Sequence, residues 1–253
     1  DHIGASFCLS LLNDPEIKEI WFETHDDILV IKENSRIESV EFIQVKAEDR
    51  QSRWSLANLR QRDVKTTDTE VTDSKTGKVL KKKEKKEQVG TSLLEKSLAQ
   101  WRCCEEVSFR IVTIVDVNSE LNILKTKPGT EQRKNRIDEE IALANKLKET
   151  MEGVEGPNGR SLESWVSLCY WDKRPDKVET VADVNKLRLE KILKGLGKAA
   201  FPDHRDELYQ KMLALVSKAS SCDLQMNPAG NKIKRKELLE WIEEKLTQMS
   251  MPS

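Results

Sequence analysis

Apolar positions follow two periods along the chain, and the change from one to the other divides it. In the first half the apolar runs are short and rich in β-branched residues. Ile20-Trp21-Phe22 follows the turn signal Asp14-Pro15 and reads as a first strand. Ile28-Leu29-Val30-Ile31 and Val40-Glu41-Phe42-Ile43, separated by polar residues 32–39, read as a β-hairpin or meander. Ahead of them, residues 4–13 predict a short apolar helix that buries Phe7, Leu11 and Leu12. Residues 55–59 start another short helix. Ser92 to Glu106 predicts a longer one, with Ser92 as its cap, Glu95 at the capping-box position and Leu93, Leu94, Leu98 and Trp101 on one face. Phe109 to Val115 is almost continuously apolar, which fits a central strand covered on both faces. Strand, helix and strand between 40 and 115 imply a mixed α/β core with a crossover connection.

From about residue 131 the period is helical. Ile137, Ile141, Ala144, Leu147 and Met151 recur at three- and four-residue intervals, and the stretch from Val154 to Gly159 stops that helix. Leu162, Trp165, Val166 and Leu168 begin the next. Trp171 to Pro175 reads as a break. Leu187–Leu196, Leu208–Val216 and Leu238–Met249 are further amphipathic segments. The expected organisation is therefore an α/β domain over 1–127 and a helical C-terminal region over 128–253.

Between these parts lies a stretch of different character. Residues 64–90 alternate Thr and Val around a Thr76-Gly77 turn and predict an exposed hairpin or loop. Lys78, Lys81, Lys82, Lys83, Lys85 and Lys86 crowd its second half, relieved by Glu84 alone. Such a run can contact a DNA backbone, because lysines gain affinity by releasing counterions from phosphates. It can equally be a solvated surface run.

The whole chain has 253 residues, 34% of them charged, and a formal net charge of -1. That balance suits a soluble protein with many exposed helical faces, and it still permits a local basic patch. No apolar run approaches the roughly 20 residues that cross a bilayer, and no basic-then-apolar leader is present, so the expected location is the cytoplasm. Five cysteines, Cys8, Cys103, Cys104, Cys169 and Cys222, show no C-x-x-C pairing, which argues for free thiols over disulfides or zinc.

The candidate chemistry lies at one end of the predicted hairpin. Side chains alternate between the faces of a strand, so Gln44 and Lys46 share one face and Val45 takes the other. Antiparallel pairing brings the start of the first strand, near Asp27, beside Gln44 and Lys46. A carboxylate and a neutral amide oxygen can hold Mg²⁺, a hard cation that takes oxygen ligands. A lysine beside them can orient a water and offset transition-state charge. Asp26 or Glu23 can complete the acidic ligands. These groups suit metal-assisted phosphodiester hydrolysis. A polar strand end facing solvent, in a chain that serves as a non-catalytic DNA- or protein-binding adaptor, is the other reading.

An acidic residue opening one strand and a Q-x-K closing the next resemble the QxK variant of the PD-(D/E)xK restriction-endonuclease-like nucleases. Residues 22–28 (FETHDDI), 42–46 (FIQVK), 92–98 (SLLEKSL) and 109–113 (FRIVT) occur in an order similar to the double-stranded-DNA endonuclease effectors of bacterial antiphage systems, those of CBASS and Lamassu operons. The likeness covers residues 4 to 125. It implies a restriction-endonuclease-like mixed sheet flanked by helices, followed here by the α-helical C-terminal region. It also implies a metal-dependent endonuclease with Asp27, Gln44 and Lys46 as its catalytic residues, Mg²⁺ or Mn²⁺ held by Asp27, Gln44, Glu23 and Asp26, and double-stranded DNA as substrate. The first helix of such folds often carries an acidic ligand. Residues 4–13 contain none, and Glu23 is the best substitute. The helical second half is unlike the nucleotide-sensor domain of CBASS effectors. The resemblance therefore leans to a Lamassu-type subunit working with an SMC-like ATPase and accessory subunits, and becoming active as a homo-oligomer.

Overall fold

A computed structural model describes residues 1–22, 28–34, 37–46, 52–72, 79–89, 91–101, 106–151, 153–198, 202–222, 227 and 229–250, with backbone alone for 34, 37, 63–72, 79–89, 158 and 250. In chain order its elements are α1 (His2–Asn13), β1 (Ile17–Phe22), β2 (Ile28–Asn34), β3 (Ile37–Lys46), α2 (Leu56–Arg60), β4 (Asp63–Thr72), β5 (Val79–Val89), α3 (Leu93–Ala99) and β6 (Glu106–Thr113). They continue with α4 (Glu131–Lys134), α5 (Ile137–Thr150), α6 (Leu162–Leu168), β7 (Cys169–Lys173), α7 (Val178–Gly195), α8 (Pro202–Ser220), β8 (Lys232–Lys234) and α9 (Arg235–Ser250). A 3₁₀ turn over Ser119–Lys125 links β6 to α4.

Six strands form one mixed sheet in the order β7-β6-β3-β2-β1-β8. The antiparallel hairpin β2–β3 pairs Ile28 with Ile43 and Asn34 with Ile37. Strands β3, β6 and β7 run parallel, with Gln44 level with Ile111, and Lys46, Thr113 and Lys173 in one row. The α/β expectation holds, and β6 is an interior strand as its apolar run implies.

Alternation along the strands divides the core. Leu29, Ile31, Phe42, Phe109, Ile111 and Trp171 face α2, α3, α5, α6 and the 3₁₀ turn. Ile20, Phe22, Ile28, Val30, Ile43 and Val112 face α1, α7, α8 and α9. Strand β6 is covered on both faces, with Phe109 and Ile111 in one cluster and Val112 in the other, which is why its second half reads as an apolar run interrupted only by Arg110. Helix α1 is buried nearly all round, from Gly4 to Leu9 and again at Leu11 and Leu12, more than the single face its sequence suggested. Its third residue, Gly4, must be small. A Cβ on Gly4 would lie 2.6 Å from Val216 Cγ1 and 2.9 Å from Phe22 Cε1.

Two segments differ from expectation. Residues 171–175, read as a break, include the end of β7, an edge strand of the sheet. The helix expected over 92–106 is described only as far as Ala99, and its Ser92–Glu95 capping box is formed: Ser92 N–H donates to Glu95 Oε2 (2.7 Å) and Glu95 N–H to Ser92 Oγ (3.2 Å). Of the 64–90 stretch, residues 64–72 and 79–89 are described and form two paired strands, while the expected Thr76-Gly77 turn lies outside the described residues. Strands β4 and β5 pair antiparallel, Thr66 with Lys86 and Glu70 with Lys82, as a two-stranded sheet of their own.

Candidate active site

The parallel strands β3, β6 and β7 all end on the same side of the sheet. The antiparallel β1 leaves at that side through Phe22, and β2 enters there at Ile28, the residue paired with Phe22. This is where the hairpin logic placed the polar cluster. Gln44 lies one position beyond Ile43, the partner of Ile28.

Gln44 shares the face of Val40 and Phe42. It is paired with Ile111 of β6 and is 7% exposed, and among the described residues its Oε1 accepts no hydrogen bond. A buried acceptor without a donor costs about 1–3 kcal/mol. The fold therefore tolerates at Gln44 an oxygen that stability alone would not select. Lys46, two residues on and about 7 Å further along the strand, is half-buried on the same face.

Thr113 fixes the floor beside Lys46. Its hydroxyl accepts from Trp171 Nε1 (2.8 Å) and donates to the Val115 carbonyl (2.7 Å). The Trp171 indole packs on Trp54, with ring centroids 5.5 Å apart. Trp54 is held by backbone bonds to Asp116 and Asn118. Lys125 Nζ sits 3.0 Å from the Asp116 carboxylate. Burial alone would raise the Asp116 pKa. The Lys125 hydrogen bond, the Val117 N–H and the charges of Lys125 and Lys173 outweigh it and hold the carboxyl below its usual range.

The opposite face of the same strands carries a structural ion cluster. Glu41 is buried, and its Oε1 accepts from Arg110 Nε (2.8 Å) while Lys32 Nζ lies 3.1 Å from its Oε2. Burial opposes its charge, but Arg110 and Lys32 prevail and keep the carboxyl below the ordinary glutamate value. Arg110 also reaches Asp172 (3.5 Å), which accepts from Arg174 (2.7 Å). These carboxylates already face two cations each, so they are ill placed to hold a metal. Further along this face a cavity of about 390 Å³, lined in part by His2, Ile28, Val45 and Asp176, opens beside the sheet end.

The structure thus places Gln44 and Lys46 together. Glu23, Asp26, Asp27 and Lys78 lie outside the described residues, as does His25. Lys81, Lys82, Lys83, Lys85 and Lys86 all lie on β5, in the separate two-stranded sheet. No group of three or more His, Cys, Asp or Glu suited to a metal ion occurs among the described residues. For a hard cation the described donor set offers one fitting group, the orphaned Gln44 oxygen, and its negative charge would have to come from the acids between Phe22 and Ile28. Cys8 and Cys169 are buried free thiols, and burial pushes the Cys8 pKa up to about 12 and raises that of Cys169 as well, which makes both inert. The sequence reading did not bring Lys173 to this end. Its signal was the alternation Cys169, Trp171, Lys173 against Tyr170 and Asp172, too short to stand out beside a proline.

A mixed sheet covered by helices on both faces, with amide and ammonium groups at the ends of its parallel strands, defines an α/β nuclease-type fold. Residues 1–220 match the family model described as Cap4, dsDNA endonuclease domain, and the chain belongs to that family. Comparison with curated proteins gives no sequence match. Among solved structures, the Acinetobacter baumannii Cap4 SAVED/CARF-domain containing receptor with the cyclic trinucleotide 2'3'3'-cAAA superposes with a TM-score of 0.55 at 10% identity, over 98% of this chain and 44% of that one. The Moraxella osloensis Cap4 SAVED/CARF-domain containing receptor gives 0.53 at 12% identity, over 98% and 46%. At such identities the likeness is one of fold. The chain spans less than half the length of these receptors.

Proposed function

We propose that this chain is a metal-dependent endonuclease that hydrolyses phosphodiester bonds of double-stranded DNA, as the effector of a bacterial antiphage system. One observation carries the reading beyond family membership: the buried, unpartnered Gln44 oxygen stands two residues from Lys46 at the sheet end where β1 leaves and β2 enters. Gln44 Oε1 would hold Mg²⁺ or Mn²⁺, with Asp27 as the main acidic ligand and Glu23 or Asp26 completing the set. When bound, such an ion lowers the pKa of a coordinated water and neutralises charge on the scissile phosphate. Lys46 orients the attacking water and offsets the charge of the transition state. The lysines of β5 neutralise phosphates of the duplex away from the cut.

Control follows from the chemistry. An endonuclease of low sequence specificity must be silent until needed. Association with separate subunits, an SMC-like ATPase complex among them, and self-association of the nuclease would supply that switch. Among the described residues no helix is long and apolar enough to cross a membrane.

The test is cleavage of linear duplex DNA with Mg²⁺ over a range of protein concentrations, by the parent chain and by Lys46→Ala. The expected result is cutting by the parent that EDTA abolishes and that Lys46→Ala lowers by at least about 100-fold, the scale for loss of one charge-stabilising group. A rate that climbs steeply with concentration supports self-association as the switch. Equal cutting by parent and variant removes Lys46 from the mechanism.

A further inference from the structure

The register of the parallel strands sets Lys46, Thr113 and Lys173 in one row. All three belong to the same face, since Gln44, Ile111 and Trp171 precede them by two residues on their strands. With strands about 4.8 Å apart, Lys46 and Lys173 are separated by about 10 Å. That span is roughly three base steps at the 3.4 Å rise of one DNA strand.

The row is rigid between its cations. Thr113 is 1% exposed and bonded to Trp171, itself 1% exposed and packed at a 60° tilt against Trp54. Lys173 is exposed and makes no ion pair among the described residues. Asp116, its electrostatic neighbour, is already paired with Lys125 at 3.0 Å. Asp116 therefore faces two cations, Lys125 and Lys173, and its single carboxylate is already engaged by the first of them.

We propose that Lys173 binds a backbone phosphate of the duplex on the flank of the scissile one, so that the substrate lies across the ends of β3, β6 and β7. This assignment rests on the nuclease reading above and adds a substrate-binding residue to it. Lys173 belongs to the binding step, and Lys46 to the chemical step.

The test is anisotropy of a labelled short duplex in EDTA, so that no cutting occurs, measured across a series of salt concentrations. Each phosphate neutralised by a lysine contributes about 0.9 to the slope of log K against log salt. Lys173→Gln should flatten that slope by about 0.9 and weaken binding about eightfold at 0.1 M salt, the same counterion term evaluated there. Lys173→Arg should restore both. Lys236→Gln, an exposed lysine of α9, serves as the net-charge control and should change neither. Unchanged melting temperatures verify folding of the variants. If the parent binds and Lys173→Gln matches it in affinity and slope, or if Lys236→Gln weakens binding equally, the Lys173 assignment is overturned and the nuclease reading stands. If the parent binds no duplex at any salt concentration, both fall together.

Discussion

Gln44 poses the sharpest question at the scale of single residues. A buried amide oxygen without a donor is a stability defect, and proteins retain such defects where function requires the group. Replacing Gln44 by Met keeps the volume near that of the amide and removes the unsatisfied oxygen. The expected outcome is a variant more stable by about 1 kcal/mol, visible as a melting temperature about 2–4 °C higher for a chain of this size, and unable to cut DNA. Thermal melts and the gel assay together check it. A Gln44→Met protein that is less stable and still active would show that the amide serves packing alone. The sequence made Gln44 and Lys46 legible because strand alternation puts them on one face whatever the rest of the fold does. It could not show that Gln44 is shut away from water, since that depends on β6 and the helices above it. Lys173 stayed invisible because its row exists only once β7 is seated beside β6.

At the scale of elements, the ribbon β4–β5 has a built base. Arg62 immediately precedes β4, and Glu95 lies in the first turn of α3, just after β5. The Arg62 guanidinium donates two bonds to the Glu95 carboxylate, one of them Nε to Oε2 at 2.9 Å, and α2 packs on α3 beneath them. The Arg62 bond is the main reason that the Glu95 carboxyl falls from an ordinary value of 4.5 to about 2. The Ser92 contacts and the Arg62 charge add to it against the cost of burial. A carboxyl depressed in the folded state stabilises the fold above the unfolded value, near 4.5, and that contribution is lost as pH falls toward 2. Glu95→Gln separates the two roles of the residue, because glutamine still closes a capping box but cannot form the ion pair. The variant should melt lower than the parent at pH 7, and the gap should close as pH drops from 4.5 to about 2. Melting curves over that range check it, and a constant gap would show that the pair contributes nothing. The capping box was readable from Ser92 and Glu95 three residues apart. Its ion partner was not, because Arg62 is 33 residues away. The edge strands β7 and β8 escaped for a related reason. Five and three residues give too little alternation to outweigh Pro175 or the Asn227–Asn231 turn, and only pairing with β6 and β1 makes them strands.

At the scale of the whole molecule, the end of the chain closes over its beginning. The family match ends at residue 220, but the fold does not: β8 pairs with β1, and Ile233, Leu238 and Ile242 are buried against α1 and the sheet. One side chain ties the two regions. The Arg235 guanidinium, at the first position of α9, donates to the carbonyls of Leu11 (2.6 Å) and Leu12 (2.9 Å), which the last turn of α1 leaves without helical partners, and to that of Asp14 (2.7 Å), which also accepts from Ile17 N–H. These bonds carry charge assistance, and together they seat the C-terminus of α1, whose other end lines the cavity beside the candidate site. Arg235→Ala should therefore destabilise the chain by about 2–3 kcal/mol, a fall in melting temperature of about 4–12 °C at 2–4 °C per kcal/mol. Arg235→Lys should recover only part of the loss, because an ammonium is a compact point charge and lacks the planar fork that spans three carbonyls. Thermal melts of the three proteins decide it. An alanine variant that melts with the parent would mean that water satisfies those carbonyls as well as the guanidinium does, and that α1 is seated by its apolar contacts alone.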